Sequence, residues 1–387
     1  MDRKAHGSPV WEIERLPFLW APLDEPFGGP LPAELPFTLG VHQKSGALIQ
    51  IGDQNLRGAL DQAYSLGSVL GCRLEDMGLG RRYAEAFLGF TVSHVSALDR
   101  RTVLEIGAGT GYLLSRLAML GARCTGIEPG DHLQSRYESA GVTMIRDFFP
   151  TGQLTEFFDV VLLHNLLEHI ENVGLFLDEV RSVLAPQGQM LVAVPACDGY
   201  IDCGDPSILV HEHFSYFTQA TLIATLIEAG FEVISCEPSG VGTSWFVSAR
   251  ARSRPAPSAP TVDERGALAF KSRCSQTVAR VRDYLVDART KSQSVALYVP
   301  TRAINFVALS ESPVDHCRLV DDDPNLQGKY LPGLPLPIED GHSLKRTPTD
   351  RVLILSDSFG SEIRNRIVGH LPPGTKVHLL RDLRVPC

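Results

Sequence analysis

One stretch constrains the fold of this chain more than any other: Val103-Leu104-Glu105-Ile106-Gly107-Ala108-Gly109-Thr110-Gly111-Tyr112-Leu113-Leu114. An apolar run that ends in three closely spaced glycines and resumes as an apolar run predicts a buried strand, a tight turn and an opening helix. Glycine at 107, 109 and 111 removes every Cβ from the inside of that turn, so a ligand can approach the main chain. A dinucleotide fingerprint needs its third glycine three positions after the second, to seat a pyrophosphate on the helix N-terminus. Here that position is Tyr112. The turn therefore suits a nucleoside that carries no pyrophosphate.

Two acids narrow the ligand. Glu105 precedes the first glycine, where a carboxylate meets an ammonium group, and Glu128, in Cys124-Thr125-Gly126-Ile127-Glu128-Pro129, ends the next apolar strand. A carboxylate at that strand end accepts from both hydroxyls of a ribose. An ammonium and a ribose diol occur together in S-adenosylmethionine (SAM). The stretch resembles the class I SAM-dependent methyltransferases, which carry Glu/Asp-x-Gly-x-Gly-x-Gly on the first strand and an acid on the second. The resemblance implies that Glu105, Gly107, Ala108, Gly109, Gly111 and Glu128 bind SAM. It also implies that Asp147, in Ile145-Arg146-Asp147-Phe148-Phe149, binds the adenine amino group. His164 and Asn165, which end the fourth strand, fall where the methyl group faces its acceptor. The plainer alternative is a Rossmann-like domain for another nucleotide, or for none.

The 387 residues exceed one ordinary domain, and 44% hydrophobic with 21% charged residues is a globular composition. A net charge of -9 argues against a nucleic-acid partner, because phosphate binding needs clustered Lys and Arg. The first residues lack the apolar region of a signal peptide, and the apolar runs are of strand length, which predicts no membrane span. The eight cysteines contain no Cys-x-x-Cys pair. That spacing predicts reduced thiols in a cytoplasmic protein and excludes the clustered three-cysteine site of radical SAM chemistry.

Strands are predicted near 102–107, 123–128, 142–145, 158–163, 188–195, 232–236 and 243–249, separated by helices that include 111–120, 173–184 and 218–231. This alternation belongs to a mostly parallel sheet covered on both faces. Pro186-Gln187-Gly188 reads as a helix stop. A proline-rich linker at 252–261 precedes a long helix near 262–291 and two strand-helix units, on Val295–Val299 and Val352–Leu355. Residues 36–51 read as a β-hairpin. The expected fold is α/β: a small hairpin-containing N-terminal domain (1–84), a Rossmann-like class I methyltransferase core (85–252) and a C-terminal α/β domain (262–387).

That domain order resembles the three-domain C-methyltransferases acting on nucleotide-linked deoxy-keto-sugars. Their N-terminal hairpin, Leu-Gly-Val-Cys-x-x-Cys-Gly-Leu, holds zinc through paired cysteines. This chain has Leu39-Gly40-Val41-His42-Gln43-Lys44-Ser45-Gly46, with His42 and Ser45 in the cysteine positions. Too few thiolates remain for a tetrahedral zinc, so no metal is expected there, and Leu39, Val41, Leu48 and Ile51 are expected to pack the hairpin instead. The segment from Leu319 to Ile338 matches the family's Asp-x-Asn-Pro-x-Lys-Gln-Gly-x-x-x-Pro-Gly pattern, and Val352–Ile363 its Val-Leu-Ile-Leu-x-x-Asn-Phe-x-x-Glu-Ile. Tyr298–Asn305 departs from its Gly-Tyr-Gly-Ala-Pro-Ala-Lys-Gly turn.

Methylating carbon requires a base beside a carbonyl and a group that steadies the oxyanion. Leu209-Val210-His211-Glu212-His213-Phe214-Ser215-Tyr216-Phe217 supplies candidates. The family reads Tyr-His-Glu-His-x-Ser-Tyr-Phe here, which makes His213 the base with Glu212 beside it, and His169 also matches a family histidine. Val210 stands in the tyrosine's place and cannot donate a hydrogen bond. Tyr200, Tyr216 and His211 are the candidate substitutes. The expected activity is SAM-dependent C-methylation of a keto-deoxysugar nucleotide, or a related activated carbonyl compound, in a secondary-metabolic pathway. The alternatives are O- or N-methylation of a small natural product, or a non-catalytic SAM-binding partner. The expected partner is a small-molecule acceptor, and the oligomeric state, monomer or dimer, stays open.

Overall fold

A computed structural model describes residues 7–19, 22–25, 29, 31–65, 79–130, 141–252, 264–357, 359–369 and 371–384. In chain order, β1 (Ser8–Pro17), β2 (Glu34–Val41) and β3 (Leu48–Gln50) lead into α1 (Gln54–Ser65) and α2 (Leu79–His94). The central run is β4 (Thr102–Ile106), α3 (Tyr112–Ala118), β5 (Arg123–Ile127), β6 (Val142–Ile145), β7 (Phe158–His164), α4 (Val173–Val183), β8 (Leu184–Pro195), α5 (Asp198–Cys203), β9 (Ser215–Tyr216), α6 (Gln219–Glu228), β10 (Phe231–Pro238) and β11 (Ser244–Ala251). The remainder is α7 (Arg265–Thr290), β12 (Val295–Tyr298), α8 (Ile304–Ser310), β13 (Cys317–Asp321), β14 (Ile338–Asp340), α9 (Ser343–Arg346), β15 (Arg351–Ile354), α10 (Gly360–Val368), β16 (Lys376–Leu379) and α11 (Leu380–Leu383). Among the described residues no helix is long and apolar enough to cross a membrane.

The chain divides into two compact units. The first comprises residues 1–9, 40–198 and 212–264, and the second residues 10–39, 199–211 and 265–387. Residues 10–39, which the sequence groups with an N-terminal domain, and 199–211, which it places in the core, thus belong to the second unit.

The first unit is built on a seven-stranded sheet of order β10-β11-β8-β7-β4-β5-β6. All seven strands predicted from apolar runs are present. The order is that of an open nucleotide-binding sheet, with β4 and β7 at the switch point, except that β11 inserts between β8 and β10 and runs antiparallel to both. Alternation along the strands sorts side chains into two layers. Leu104, Ile106, Val161, Leu163, Val192 and Val194 pack with Phe176 and Leu177 of α4 and Leu222 and Leu226 of α6. Val103, Val160, Leu162, Leu191 and Ala193 pack with Phe87 and Leu88 of α2 and Leu113 and Leu117 of α3. Because both faces are covered, these strands are continuous apolar runs, which is why they were legible. One expectation is corrected: α4 ends at Val183, and Pro186-Gln187-Gly188 lies inside β8, where Gln187 takes a φ of 69°.

In the hairpin turn the His42 amide donates to the Ala47 carbonyl (2.9 Å), and β3 pairs antiparallel with β9, Leu48 opposite Tyr216. Leu39, Val41 and Leu48 are buried as expected, while Ile51 is half-buried. Where the family's cysteines stand, Nδ1 of His42 and Oγ of Ser45 are hydrogen-bonded to each other at 2.9 Å.

The second unit contains a five-stranded, all-parallel sheet of order β14-β13-β12-β15-β16. Three of its strands, β13, β14 and β16, were not expected from the sequence, which suggested two strand-helix units. Val295, Leu297 and Leu353 face α7 and α8, whereas Ala296, Tyr298 and Ile354 face Leu344 of α9 and Ile367 of α10.

Candidate active site

The glycine turn connects β4 to α3 at the centre of the sheet. Gly107, Gly109 and Gly111 have φ of 73°, 52° and 78°, a left-handed path that side chains resist. The amides of Gly107 and Ala108 donate to the Ile127 carbonyl (2.9 and 3.0 Å), which ties the turn to the end of β5. Glu128, the next residue, accepts from the Gly109 amide (2.9 Å) through Oε2 and from the Gly130 amide (2.9 Å) through Oε1. The two acids and the turn therefore form one constellation.

Glu105 is buried, with Oε2 accepting no hydrogen bond among the described residues. Burial, and then the charge of Glu128, push its pKa well above the ordinary glutamate value. A buried carboxylate oxygen without a donor fits the ammonium group of SAM, which would supply both charge and donors. The glycine turn admits the amino-acid portion, and the second lone pair on each Glu128 oxygen is available to a ribose hydroxyl. On these observations the residues present fit the cofactor.

Asp147 lies past the end of β6. Its carboxylate accepts from Thr151 Oγ1 (2.6 Å), the Phe148 amide (2.8 Å) and Gln153 Nε2 (3.2 Å), which together hold its pKa below the ordinary aspartate range. It organises the loop that follows β6.

The end of β7 adds a residue. The ring of His164 packs 5.1 Å from Tyr83 and 4.9 Å from Phe87, and burial lowers its pKa to about 3. Alternation along β7 places it in the layer beneath α2, so it is a neutral core histidine. Asn165, with a φ of 51°, leaves the strand in the left-handed region and accepts a hydrogen bond from the Tyr83 hydroxyl at 2.9 Å. Tyr83, on α2, had no signal in the sequence.

The third group gathers around His213. Nδ1 of His169 lies 3.0 Å from the Glu212 carbonyl, the His169 and His213 rings meet edge to face at 4.9 Å, and the Phe214 amide donates to the Glu168 carbonyl at 2.7 Å. The Gln50 amide, beside β9, donates to the Phe214 carbonyl (3.0 Å). Against a carbonyl oxygen, Nδ1 of His169 is the donor. Glu168, His169 and His213 each offer a ligand atom within 4.8 Å of the others, and the Nε2 to Oε1 separation of His169 and Glu168 is 3.9 Å. The sequence did not single out Glu168, which is buried.

α1 supplies another unforeseen residue. It is fastened by Arg57, which forks onto Glu171 with Nε 2.8 Å from Oε2. Tyr64 on the same helix is 44% exposed. Burial first, then the carboxylates of Glu212, Glu168 and Asp61, push its pKa well above the ordinary tyrosine value. Its phenol therefore stays protonated beside the two acids that flank His169 and His213. Of the candidates to replace the missing tyrosine, Tyr216 is fully buried on β9. His211 is buried between Phe18 and Phe37, with its pKa lowered to about 4 by burial. Tyr200 is half-buried in α5.

A sheet with its ligand turn at the β4/β7 switch and an acid ending β5 defines a class I SAM-dependent methyltransferase, an enzyme with SAM as its cofactor. Residues 81–236 match the model of a methyltransferase domain, and residues 261–377 that of the C-methyltransferase C-terminal domain. The chain thus joins a methyltransferase domain to a C-methyltransferase C-terminal domain. It is 26% identical over 313 residues to the C-methyltransferase NovU of Streptomyces niveus, covering 74% of each chain. A ubiquinone biosynthesis O-methyltransferase of Azorhizobium caulinodans is 32% identical over 124 residues, 30% of this chain and 49% of that one. This chain thus spans about half the length of that relative. Among solved structures, the 1,6-didemethyltoxoflavin-N1-methyltransferase of Burkholderia thailandensis matches with a TM-score of 0.39 at 16% identity, over 53% of this chain and 96% of that one. The CcbJ methyltransferase of Streptomyces caelestis matches with a TM-score of 0.36 at 18% identity, over 46% and 94%.

Proposed function

We propose that the enzyme methylates carbon in a nucleotide-linked keto-deoxysugar, or a closely related activated ketone, through an enolate formed by His213. The observation that carries this reading is the His169–His213 edge-to-face pair beside buried Glu168. An imidazole near a carboxylate is a general base suited to an acidic C–H beside a carbonyl.

His213 removes the proton next to the ketone, and the C–H electron pair becomes the enolate. Bound SAM supplies an electrophilic methyl group, so the new C–C bond forms as the S–CH3 bond breaks and the thioether leaves neutral. The proton on His213 returns to solvent. The phenol of Tyr64 donates to the enolate oxygen, a role Val210 cannot perform. The Glu168, His169 and His213 group acts on a proton rather than a metal in this reading. The 3.9 Å between its closest measured nitrogen and oxygen exceeds the roughly 3.3 Å edge of a zinc tetrahedron built on 2.0–2.1 Å bonds. The acceptor is a small molecule, with no nucleic acid or membrane involved, and the reaction belongs in the cytoplasm.

The relatives over the methyltransferase domain alone include O-methyltransferases, which favours methylation of a hydroxyl as the second reading. Oxygen needs no enolate, so loss of the base separates the two. Methyl-labelled SAM is incubated with a panel of thymidine-diphosphate 4-keto-deoxysugars in deuterated water. Carbon-bound label, with deuterium exchange next to the ketone that disappears in His213→Gln, is the expected result. Full transfer by His213→Gln overturns it.

A further inference from the structure

We infer that Tyr83 is a positioning residue that makes Asn165 purely a hydrogen-bond donor at the methyl-transfer end of the sheet, where its N–H groups take an oxygen of the acceptor. The inference rests on the reading of that acceptor as a ketone, and every residue it uses belongs to the first unit.

Asn165 stands where β7 stops, and β7 is one of the two strands at the switch point, where open sheets of this kind bind their ligands. Its amide still donates to the Ala193 carbonyl of β8 at 2.9 Å, but its φ of 51° takes the chain out of the strand. Outside glycine, that left-handed backbone is adopted most readily by asparagine and aspartate. The next residue, Leu166, packs against the glycine turn: a Cβ on Gly107 would lie 3.2 Å from its Cδ1. Asn165 therefore borders the turn that fits the amino-acid portion of SAM.

The carboxamide is committed on one side only. Oδ1 accepts from the Tyr83 hydroxyl at 2.9 Å, whereas Nδ2 donates to no described residue. Asn165 is half-buried, so its two N–H groups are left for a ligand. Tyr83 cannot follow a rotation of the amide. It is 8% exposed, and its ring is packed 5.1 Å from His164 and 5.6 Å from Phe246. Turning the amide over would set an N–H against the Tyr83 proton and forfeit the bond.

The consequence is selectivity. An unrestrained carboxamide offers an acceptor as well as donors, and can orient the N–H or O–H of an amine or alcohol nucleophile. With Oδ1 occupied, only donors remain. They match the lone pairs of a carbonyl or enolate oxygen, and being held in place beforehand they stabilise the charge that builds there.

The test uses the full chain carrying Tyr83→Phe, which keeps the ring and its packing, Asn165→Ala, and both together. SAM binding is followed by calorimetry, and label transfer to thymidine-diphosphate 4-keto-6-deoxyglucose by steady-state kinetics. The expected kcat/KM is about five- to tenfold lower in Tyr83→Phe and about 30-fold lower in Asn165→Ala, with SAM affinity within about twofold in both. Because Tyr83 acts through Asn165, the double variant is expected to be no slower than Asn165→Ala. A double variant whose loss is the product of the two single losses gives Tyr83 an independent structural role and overturns the inference. SAM affinity that falls in step with turnover assigns the pair to the cofactor and overturns it too. If the unmodified enzyme transfers no label to the ketosugar, the ketone reading fails and the inference falls with it. If it transfers label and Tyr83→Phe is unimpaired, only the inference fails.

Discussion

Glu105 is buried with an unpartnered oxygen and a raised pKa, which links proton, cofactor and stability. Because the folded, cofactor-free protein holds this proton to higher pH than the unfolded chain, it binds more protons above the ordinary value of 4.5. Its stability is therefore full below that value and declines as pH rises through the folded value. SAM affinity should change in the opposite sense, rising over the same window as the carboxylate forms. Glu105→Gln is predicted to flatten the pH dependence of the cofactor-free melting temperature, raise that temperature at neutral pH, and weaken SAM binding tenfold or more. Calorimetry from pH 5 to 9 checks all three. Tyr64→Phe is predicted to lower kcat about tenfold to a hundredfold with SAM affinity unchanged, as loss of one enolate donor should. Steady-state kinetics with labelled SAM decide it. Single residues were the least legible level: Tyr64 and Glu212 are 148 positions apart. Nothing in either local sequence announces that the charge of Glu212 bears on the Tyr64 phenol, nor that the His164 ring packs against Phe87 of α2.

Elements were legible where their environment is uniform. β4, β7 and β8 are covered on both faces, so their apolar runs stood out, and the capping of α6, with Thr218 and Thr221 bonded reciprocally, agrees with the helix read from 218. β13, β14 and β16 have only 5, 3 and 4 residues, and charged or polar residues interrupt each short apolar run. The N-terminal hairpin shows how an element survives altered chemistry. A His42–Ser45 hydrogen bond spans the positions where the family places thiolates, and the buried Leu39, Val41 and Leu48 supply the packing. Elemental analysis of the purified protein is predicted to find less than about 0.1 zinc per chain, with turnover unchanged after dialysis against EDTA. A stoichiometric metal lost together with activity would transfer the Glu168, His169 and His213 group from proton chemistry to metal binding.

Across the whole molecule, the division into units does not follow the order of the sequence. Motifs place the core at 85–252, while residues 81–236 match a methyltransferase domain and 261–377 a C-methyltransferase C-terminal domain. Yet residues 199–211 leave the core to join the second unit, because their polar groups are satisfied there, the Pro206 and Leu209 carbonyls by Asn305 and buried Asp205 by Arg384 at 2.8 Å. Composition and periodicity cannot reveal this, since the deciding partners lie about a hundred residues or more downstream. Arg384→Met is predicted to destabilise the protein by about 3–5 kcal/mol, as removing one member of a buried ion pair strands the other. Chemical denaturation measures the loss, and a change below about 1 kcal/mol would show the pair to be dispensable.

The separation of Asp205 from Arg384 by 179 positions also bears on how the enzyme comes into being. At roughly 5–20 residues per second, a ribosome needs about 10–35 s to pass from one to the other. The glycine turn and the central sheet emerge early and have that interval in which to assemble. Residues 199–211 must wait for their partners. A nascent chain can therefore gain the ability to hold its cofactor well before its second unit is complete.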